Sequence, residues 1–146
     1  MRAVVTRVSS AAVRIEGEAV GEIGKGFLVL LGVAVGDTEA EAKRIADRIC
    51  GLRVFEDENG KMNRSLADVG GDILIVSQFT LYADTRSRRP GFTQAARPDT
   101  AIPLYEAVIA DCRARGFRVE TGVFGADMAV ESVNDGPVTI LFDTEK

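Results

Sequence analysis

The sequence of 146 residues contains no histidine. This absence removes the commonest general base, the commonest metal ligand and every catalytic device in which histidine activates a serine or a cysteine. A hydrolase with this sequence must therefore move protons by another route. Cysteine is scarce as well, since Cys50 and Cys112 are the only two and lack metal-ligand spacing. Each falls in a helix-like segment beside apolar residues, which predicts reduced core thiols.

Long apolar runs are also missing. The longest run, residues 27–35, is interrupted by Gly32 and is too short to span a bilayer. The apolar stretch near the N-terminus is short and broken by Arg7, unlike the layout of a signal peptide. We therefore expect a cytoplasmic protein with no membrane partner.

The net charge of −4 argues against broad, sequence-blind binding of nucleic acid. The charge is nevertheless uneven, because the segment after Asp84 is rich in arginine: Arg86, Arg88, Arg89 and Arg97. This segment is either a solvated surface loop or a phosphate clamp, since arginine binds phosphate oxygens bidentately. Three or four such contacts suit a short nucleic-acid end better than a long duplex.

The length and composition predict one domain, residues 1–146. The patterning predicts about eight strands and two main helices. One helix begins at Thr38, which forms a capping box with Glu41, and the other covers residues 100–115 before the stop signal of Gly116. Two helices cannot cover both faces of such a sheet. We therefore expect an α/β fold with a mixed, largely antiparallel sheet, one face of which is rolled on itself or packed on another subunit.

Several strand boundaries follow from local signals. Residues 2–9 and 12–15 read as separate strands, and residues 72–84 as a buried strand that runs into a polar tip. Residues 117–124, 126–133 and 136–143 read as three closing strands. The Asn59-Gly60 pair predicts a hairpin in which both central turn residues have positive φ. The acids at 56–58 in this hairpin match no calcium motif, and we expect neither a metal ion nor a cofactor.

Two short segments could carry chemistry. In SQFT, residues 77–80, polar side chains appear directly after an apolar strand. They are either a solvated rim or the lining of a pocket into which main-chain N–H groups point, and each such donor at an oxyanion can be worth about 100-fold in rate. The pair Gly136-Pro137 precedes an apolar strand. It is either an ordinary turn or a place where the backbone approaches something closely.

The chain resembles the bacterial D-aminoacyl-tRNA deacylases, also described as D-tyrosyl-tRNA(Tyr) deacylases, essentially from end to end. Two family signatures are present in the right order: the SQxT core at Ser77–Thr80 and the NxGPxT core at Asn134–Thr139. The arginine segment departs from the family pattern, because DTRSRRPGF is one residue shorter than the usual DTRKGRRPSF and lacks its lysine. The resemblance is carried by these segments: MRAVVTRVSSAAV, VGEIGKGFLVLLGVAVGDT, FEDENGKMN, SQFTLYADTR, FGADM and VNDGPVT.

The resemblance implies a barrel-like sheet of the fold typical of these deacylases and a homodimer with active sites at the subunit interface. It implies hydrolysis of the ester that joins a D-amino acid, or mischarged glycine, to the 3′ adenosine of tRNA. No DNA partner is expected. In the family the Gly-Pro peptide is cis and enters the partner's pocket, so Gly136 and Pro137 would reject L-amino acids by steric collision with their carbonyl groups.

The resemblance also assigns the remaining site residues by role. Catalysis falls to Ser77, Gln78, Phe79 and Thr80, pocket support to Asn134, Thr139 and Met128, and tRNA binding to Arg86, Arg88 and Arg89. Two mechanisms remain open: Thr80 is the nucleophile, or the free 2′-hydroxyl of the terminal ribose orients or activates water. No base able to activate Thr80 is evident, which favours the second mechanism.

Two other classes of protein fit parts of the pattern. One is a histidine-free hydrolase of small free esters or amides that works through Thr80. The other is a dimeric binding module without catalytic activity, which a polar rim alone would allow. Two intact signatures are hard to explain without catalysis.

Overall fold

The computed structural model describes residues 1–146, the whole sequence. Eight strands and three helices follow one another, and a short 3₁₀ helix lies between β6 and α3. No helix has both the length and the apolar character needed to cross a membrane. The elements are β1 Arg2–Ile15, β2 Glu18–Ile23, β3 Gly26–Gly32, α1 Glu39–Gly51, β4 Phe55–Glu56, β5 Met62–Arg64, α2 Leu66–Val69, β6 Asp72–Ser77, the 3₁₀ helix Phe79–Tyr82, α3 Pro98–Ala114, β7 Val119–Thr121 and β8 Ala129–Asp143.

Six strands form one mixed sheet that curls into a nearly closed barrel. The first half of β1 pairs antiparallel with β3, its second half pairs with β2, and β8 follows it along nearly its full length. β3, β6 and β7 run parallel to one another. The outer strands β2 and β7 approach closely where Gly21 lacks a side chain, since a Cβ there would lie 2.5 Å from the carbonyl oxygen of Thr121.

The curled sheet has an apolar layer on each face. Inside the curl, Val8, Val13, Ile23, Leu28 and Leu74 pack together with their neighbours. On the other face, β1, β3 and β6 bury a larger cluster against α1 and α3. One face is therefore rolled on itself, which is one of the two arrangements expected for a sheet with only two long helices.

The two long helices begin and end close to the predicted positions. The Thr38 side chain caps α1, and the Glu41 side chain accepts from the Thr38 N–H, which completes the predicted capping box. Helix α3 begins at Pro98, two residues earlier than expected, because proline fits the first helical position. The chain leaves α3 through Gly116, which has a φ of +98°.

Three local predictions were wrong, and one short helix was missed. β1 is one bent strand rather than two, and its register shifts allow the bend. The segments predicted as the last two closing strands are joined into β8, whose pairing with β1 resumes after a bulge. The extended segment after Ser77 turns into the 3₁₀ helix. Helix α2 was missed because it has only four residues, although Ser65 and Asp68 form a capping box.

The β4–β5 hairpin also differs from the prediction. Gly60 has a φ of +75°, but Asn59 does not have a positive φ. Five residues, 57–61, connect the strands, so the turn is longer than a two-residue hairpin. The Asp57 side chain closes it by accepting hydrogen bonds from the backbone N–H groups of Asn59 and Lys61.

Candidate active site

A cavity of about 340 Å³ opens at the ends of β3 and β6, beside the start of α3 and the segment that leads into β8. Most of its lining is apolar, as is common for sites that bind small molecules or acyl groups. The polar contribution comes mainly from the end of β6. The lining includes Ser77, Gln78, Phe79, Ala101, Tyr105, Phe124, Asp127 and Met128.

Only part of the SQFT segment lines the cavity. Ser77, Gln78 and Phe79 line the cavity, whereas Thr80 does not. The Thr80 hydroxyl instead accepts a hydrogen bond from the Gln78 side-chain amide. A nucleophile needs a neighbouring base, and the Thr80 hydroxyl forms no hydrogen bond with a carboxylate, an amine or another basic side chain of this chain. The segment therefore forms part of a pocket wall rather than only a solvated rim.

Main-chain donors are available beside Gln78. In the 3₁₀ helix the Leu81 N–H donates to the Gln78 carbonyl oxygen, at an N–O distance of 3.2 Å. The N–H groups of Phe79 and Thr80 precede this bond and are not required by the helix. The Gln78 N–H itself is taken up by the Leu31 carbonyl oxygen. The helix itself gives these two amide groups no acceptor, which makes them the main-chain candidates for stabilising a developing oxyanion.

Two further lining residues define the electrostatics of the cavity. The Tyr105 hydroxyl donates to the Ile75 carbonyl oxygen at 2.9 Å. Burial raises the pKa of Tyr105 to about 12, so this hydroxyl stays protonated at neutral pH and cannot serve as a base. Asp127 is the one charged residue of the lining, and it forms no ion pair within the chain. The cavity is therefore apolar with a single negative charge.

Met128 lies in the cavity wall as expected from the resemblance. Its position depends on Gly122, because a Cβ on Gly122 would lie 2.6 Å from the Met128 sulfur.

Phe79 is 56% exposed, and its ring meets the Phe92 ring edge-on with 5.0 Å between centroids. An exposed aromatic ring at the mouth of a pocket is a suitable surface for stacking a nucleobase.

The arginine segment forms a closed loop near this aromatic pair. Asp84 and Gly91 exchange two backbone hydrogen bonds of 2.7 and 3.0 Å, so the loop has a fixed base. The Arg86 guanidinium binds the Asp84 carboxylate through several contacts, which lowers the pKa of Asp84. Arg88 and Arg89 form no ion pair and keep their positive charge free. Of the three predicted tRNA contacts, these two are the ones available to a phosphate.

The second signature forms a bulge in β8. Thr6 pairs with Thr139 and Val8 with Asn134, so β8 advances five positions while β1 advances two. The Asn134 side chain closes the bulge, because its carbonyl oxygen accepts from the Val138 N–H at 3.0 Å and its amide donates to the Thr139 hydroxyl at 3.3 Å. The peptide bond between residues 136 and 137 is cis, as the resemblance implies.

The buried side chain of Arg7 contacts this bulge from the interior of the protein. The Arg7 side chain is only 7% exposed. Its Nε donates to the Asp135 carbonyl oxygen at 2.9 Å, and its Nη1 donates to the Val54 carbonyl oxygen at 2.7 Å. Gly136 lies against it with a φ of +132°, and a Cβ on Gly136 would lie 2.8 Å from the Arg7 Nη2 atom.

The structure does not bring the two signatures together within one chain. Gly136 and Pro137 are exposed at the tip of the bulge, and neither lines the cavity that Ser77, Gln78 and Phe79 form. Asn134 and Thr139 support the bulge rather than the cavity. Of the residues assigned to pocket support, only Met128 lies in the cavity wall.

Sequence reasoning missed several residues of the two regions. Arg7 carried a usable signal, because it occupies the same inward-facing register of β1 as Ala3 and Val5. A charged residue in a core register needs buried partners, and here they are backbone carbonyl groups. Ala101, Tyr105 and Phe124 carried no such signal, since their apolar patterns are those of ordinary core residues.

The fold and the site define an α/β protein with a histidine-free, largely apolar pocket whose polar part comes mainly from the end of β6. The sequence profile of the family described as D-Tyr-tRNA(Tyr) deacylase matches residues 4–143. The chain belongs to this family. A relative named D-aminoacyl-tRNA deacylase, from Desulfitobacterium hafniense (strain DSM 10664 / DCB-2), is 59% identical over 100% of this chain and 99% of its own length.

Two solved structures share the fold. One, named c-Myc DNA Unwinding Element Binding Protein, is 40% identical, covers 99% of each chain and has a TM-score of 0.93. The other, described as a probable eukaryotic D-amino acid tRNA deacylase, is 19% identical, covers 97% of each chain and has a TM-score of 0.82. The mixed α/β architecture with a barrel-like sheet is therefore shared by both.

Proposed function

We propose that this protein hydrolyses the ester bond of D-aminoacyl-tRNA, and mischarged glycyl-tRNA, to give a free amino acid and tRNA. The match of the deacylase family profile to residues 4–143 carries this proposal. The reaction removes amino acids of the wrong hand before they reach the ribosome. It takes place in the cytoplasm, where charged tRNA is found.

The cavity has the properties that an aminoacyl ester requires. Its volume of about 340 Å³ accommodates an amino-acid side chain, and its apolar wall tolerates many side chains. The acyl group also carries an α-ammonium ion, and Asp127 supplies the only charge in the lining, of the opposite sign. Phe79 and Phe92 at the mouth offer a stacking surface for the terminal adenine.

The reaction itself needs no histidine. Water adds to the ester carbonyl, the C–O bond to the ribose breaks, and the 3′-oxygen leaves with a proton. The amide donors at Phe79 and Thr80 stabilise the negative charge that develops on the carbonyl oxygen. The adjacent 2′-hydroxyl of the ribose orients or activates the water, so the substrate supplies a group that the protein lacks.

We expect Thr80→Ala to retain most of the wild-type activity, within about tenfold in kcat, because the main-chain donors remain in place. Single-turnover hydrolysis of D-tyrosyl-tRNA measures the chemical step directly. Thr100→Ala is the matched control, because Thr100 is also an exposed threonine and does not line the cavity. A folded Thr80→Ala variant that binds the substrate but shows no turnover would contradict this mechanism and favour Thr80 as nucleophile.

We further propose that the protein works as a homodimer in which Gly136 and Pro137 of one subunit enter the cavity of the other. Two observations support this arrangement. The bulge is exposed and held rigidly by Asn134 and Arg7, and the β8 strand around it exposes large apolar side chains, with Val133 57% and Leu141 75% exposed. Main-chain groups at the α-carbon of the substrate would collide with an L side chain and accept a D side chain.

The tRNA would be held by charge near the cavity mouth. Arg88 and Arg89 are the cations of the loop without an ion pair, and a contact from each to a phosphate fits the short single-stranded end of a tRNA. The shortened loop of this chain leaves fewer cations than the usual family segment. We therefore expect weak, salt-sensitive binding of uncharged tRNA.

The proposed function is tested by comparing release of tyrosine from D-tyrosyl-tRNA and L-tyrosyl-tRNA under the same conditions. We expect fast loss of the D form and at least about 100-fold slower loss of the L form, since a steric collision at the α-carbon misplaces the ester. D-tyrosine ethyl ester, which lacks RNA, should react slowly. Equal rates on both tRNA substrates, or efficient turnover of the free ester, would reject the proposal.

A further inference from the structure

The two cysteines meet at the ends of the long helices. Cys50 lies in the last turn of α1, and Cys112 lies in the last turn of α3. Their sulfur atoms are 3.7 Å apart, and both are free thiols. Cys112 is fully buried, whereas Cys50 is half-buried and accessible to a small reagent. Residues 62 positions apart in the chain are thus in contact through their side chains.

The helix ends that carry these thiols are fixed relative to each other. Arg115, at the end of α3, forms an ion pair with Asp111 at 3.0 Å and another with Asp47 of α1 at 2.9 Å. Hydrogen bonding with the Cys112 thiol lowers the pKa of Cys50, and the Arg115 guanidinium acts in the same direction, whereas burial and the Asp111 and Asp47 carboxylates oppose the change. The half-buried sulfur is therefore the one that becomes a thiolate more readily, and the buried sulfur lies beside it.

We propose that Cys50 and Cys112 form a redox-active pair that reduces a hydroperoxide and closes an intramolecular disulfide between α1 and α3. The Cys50 thiolate attacks the terminal peroxide oxygen, the O–O bond breaks, and water or an alcohol leaves. The resulting Cys50 sulfenic acid is then attacked by the Cys112 sulfur, which loses its proton as the S–S bond forms, and the sulfenic hydroxyl leaves as water. Two thiols lose two electrons, and the peroxide gains them.

The pair lies outside the candidate active site, because neither cysteine lines the cavity. Helix α3 nevertheless joins the two regions, since Tyr105 lines the cavity two turns before Cys112. A bond between the helix ends would restrict the unfolded chain over the segment that the two cysteines enclose. Oxidation should therefore raise thermal stability without removing the pocket.

The test treats the reduced full-length protein with stoichiometric hydrogen peroxide. We expect the intact mass to fall by two hydrogen atoms, both thiols to disappear in a thiol assay on the denatured protein, and a dithiol reductant to restore them. The melting temperature of the oxidised protein should rise by about 5–10 °C. Peptide mapping should find residues 50 and 112 in one cross-linked fragment.

Two variants make the outcome decisive. Cys112→Ser should stop at the sulfenic acid of Cys50, which dimedone traps, whereas Cys50→Ser should react at least tenfold more slowly than wild type. Persistence of both thiols in the wild-type protein would overturn the proposal. So would stepwise addition of oxygen atoms without a cross-link, or a cross-link between two chains. These readouts involve no tRNA, so they fail independently of the proposed deacylase function.

Discussion

Gly136→Ala is expected to lower kcat/KM for D-aminoacyl-tRNA by about 100-fold, the scale on which displacement of a positioning group by about 1 Å acts. The added Cβ would lie 2.8 Å from the Arg7 Nη2 atom and 2.8 Å from a methyl carbon of Val138. Arg7 cannot withdraw freely, because its other nitrogen atoms donate to two backbone carbonyl groups. The main chain at 136 and 137 must therefore shift.

The stability of this variant should fall as well. A φ of +132° is unfavourable for alanine, and overpacking adds to that cost, which gives a total of about 2–4 kcal/mol. Gly17→Ala is the matched control, because Gly17 also has a positive φ, of +83°, but open space around its Cβ position. It should lose about 1 kcal/mol and no activity. Equal activity losses in the two variants would contradict a specific role for the bulge.

The wild type and the two glycine variants also test the proposed dimer. Sedimentation equilibrium should give a mass of twice 15.6 kDa for the wild type and for both glycine variants. A monomeric wild-type protein with full D-specific activity would refute a role of the bulge in the partner's cavity. A dimer in which Gly136→Ala remains fully active and D-specific would refute the chirality filter while leaving the deacylase function intact.

Arg7→Ala is expected to destabilise the fold by about 2–4 kcal/mol, which is a large share of the total for a domain of this size. The substitution leaves the buried Val54 carbonyl oxygen without its donor and removes the apolar stem of Arg7 from the core. Its carboxylate partners contribute less, because Glu56 and Asp135 are 60% and 55% exposed. The loss should therefore change little with salt. Urea denaturation measures it.

Arg14→Ala is the control for Arg7→Ala, since Arg14 lies on the same strand and forms an exposed ion pair with Glu131 at 2.9 Å. An exposed pair of this kind contributes about 0–1 kcal/mol. D-specific activity should fall with Arg7→Ala even in conditions where the variant remains folded, because the Asp135 carbonyl loses its donor. Similar stability losses for the two arginine variants would show that burial of Arg7 is unimportant.

The helices and most strands could be predicted because their signals are local. The capping box at Thr38 and the stop at Gly116 act within a few residues, and the inward-facing positions of β1 repeat at every second residue. The continuity of β8 across Gly136-Pro137 could not be predicted from such signals. It depends on pairing with β1 and on the Asn134 side chain, which bridges the bulge.

The candidate site was predicted only where its signal in the sequence is local. The polar change at Ser77 and Gln78 is visible in the sequence, and these residues do line the cavity. The exclusion of Thr80 follows from the turn into a 3₁₀ helix, which tertiary contacts decide. Phe124 and Tyr105 come from distant segments that only the folded chain brings together. Whether the residues act as assigned stays a prediction, as does the single-domain boundary.

The bulge in β8 has a consequence for solubility. β8 spans 15 residues and pairs with β1 along one side only, so its other side presents unpaired backbone groups. A long strand with an unpaired edge can form backbone hydrogen bonds with other chains, and a bulge interrupts such pairing. The bulge at Gly136 and Pro137 divides the unpaired edge of β8 into two shorter segments. A sequence change that flattened it would create a template for fibrous aggregation.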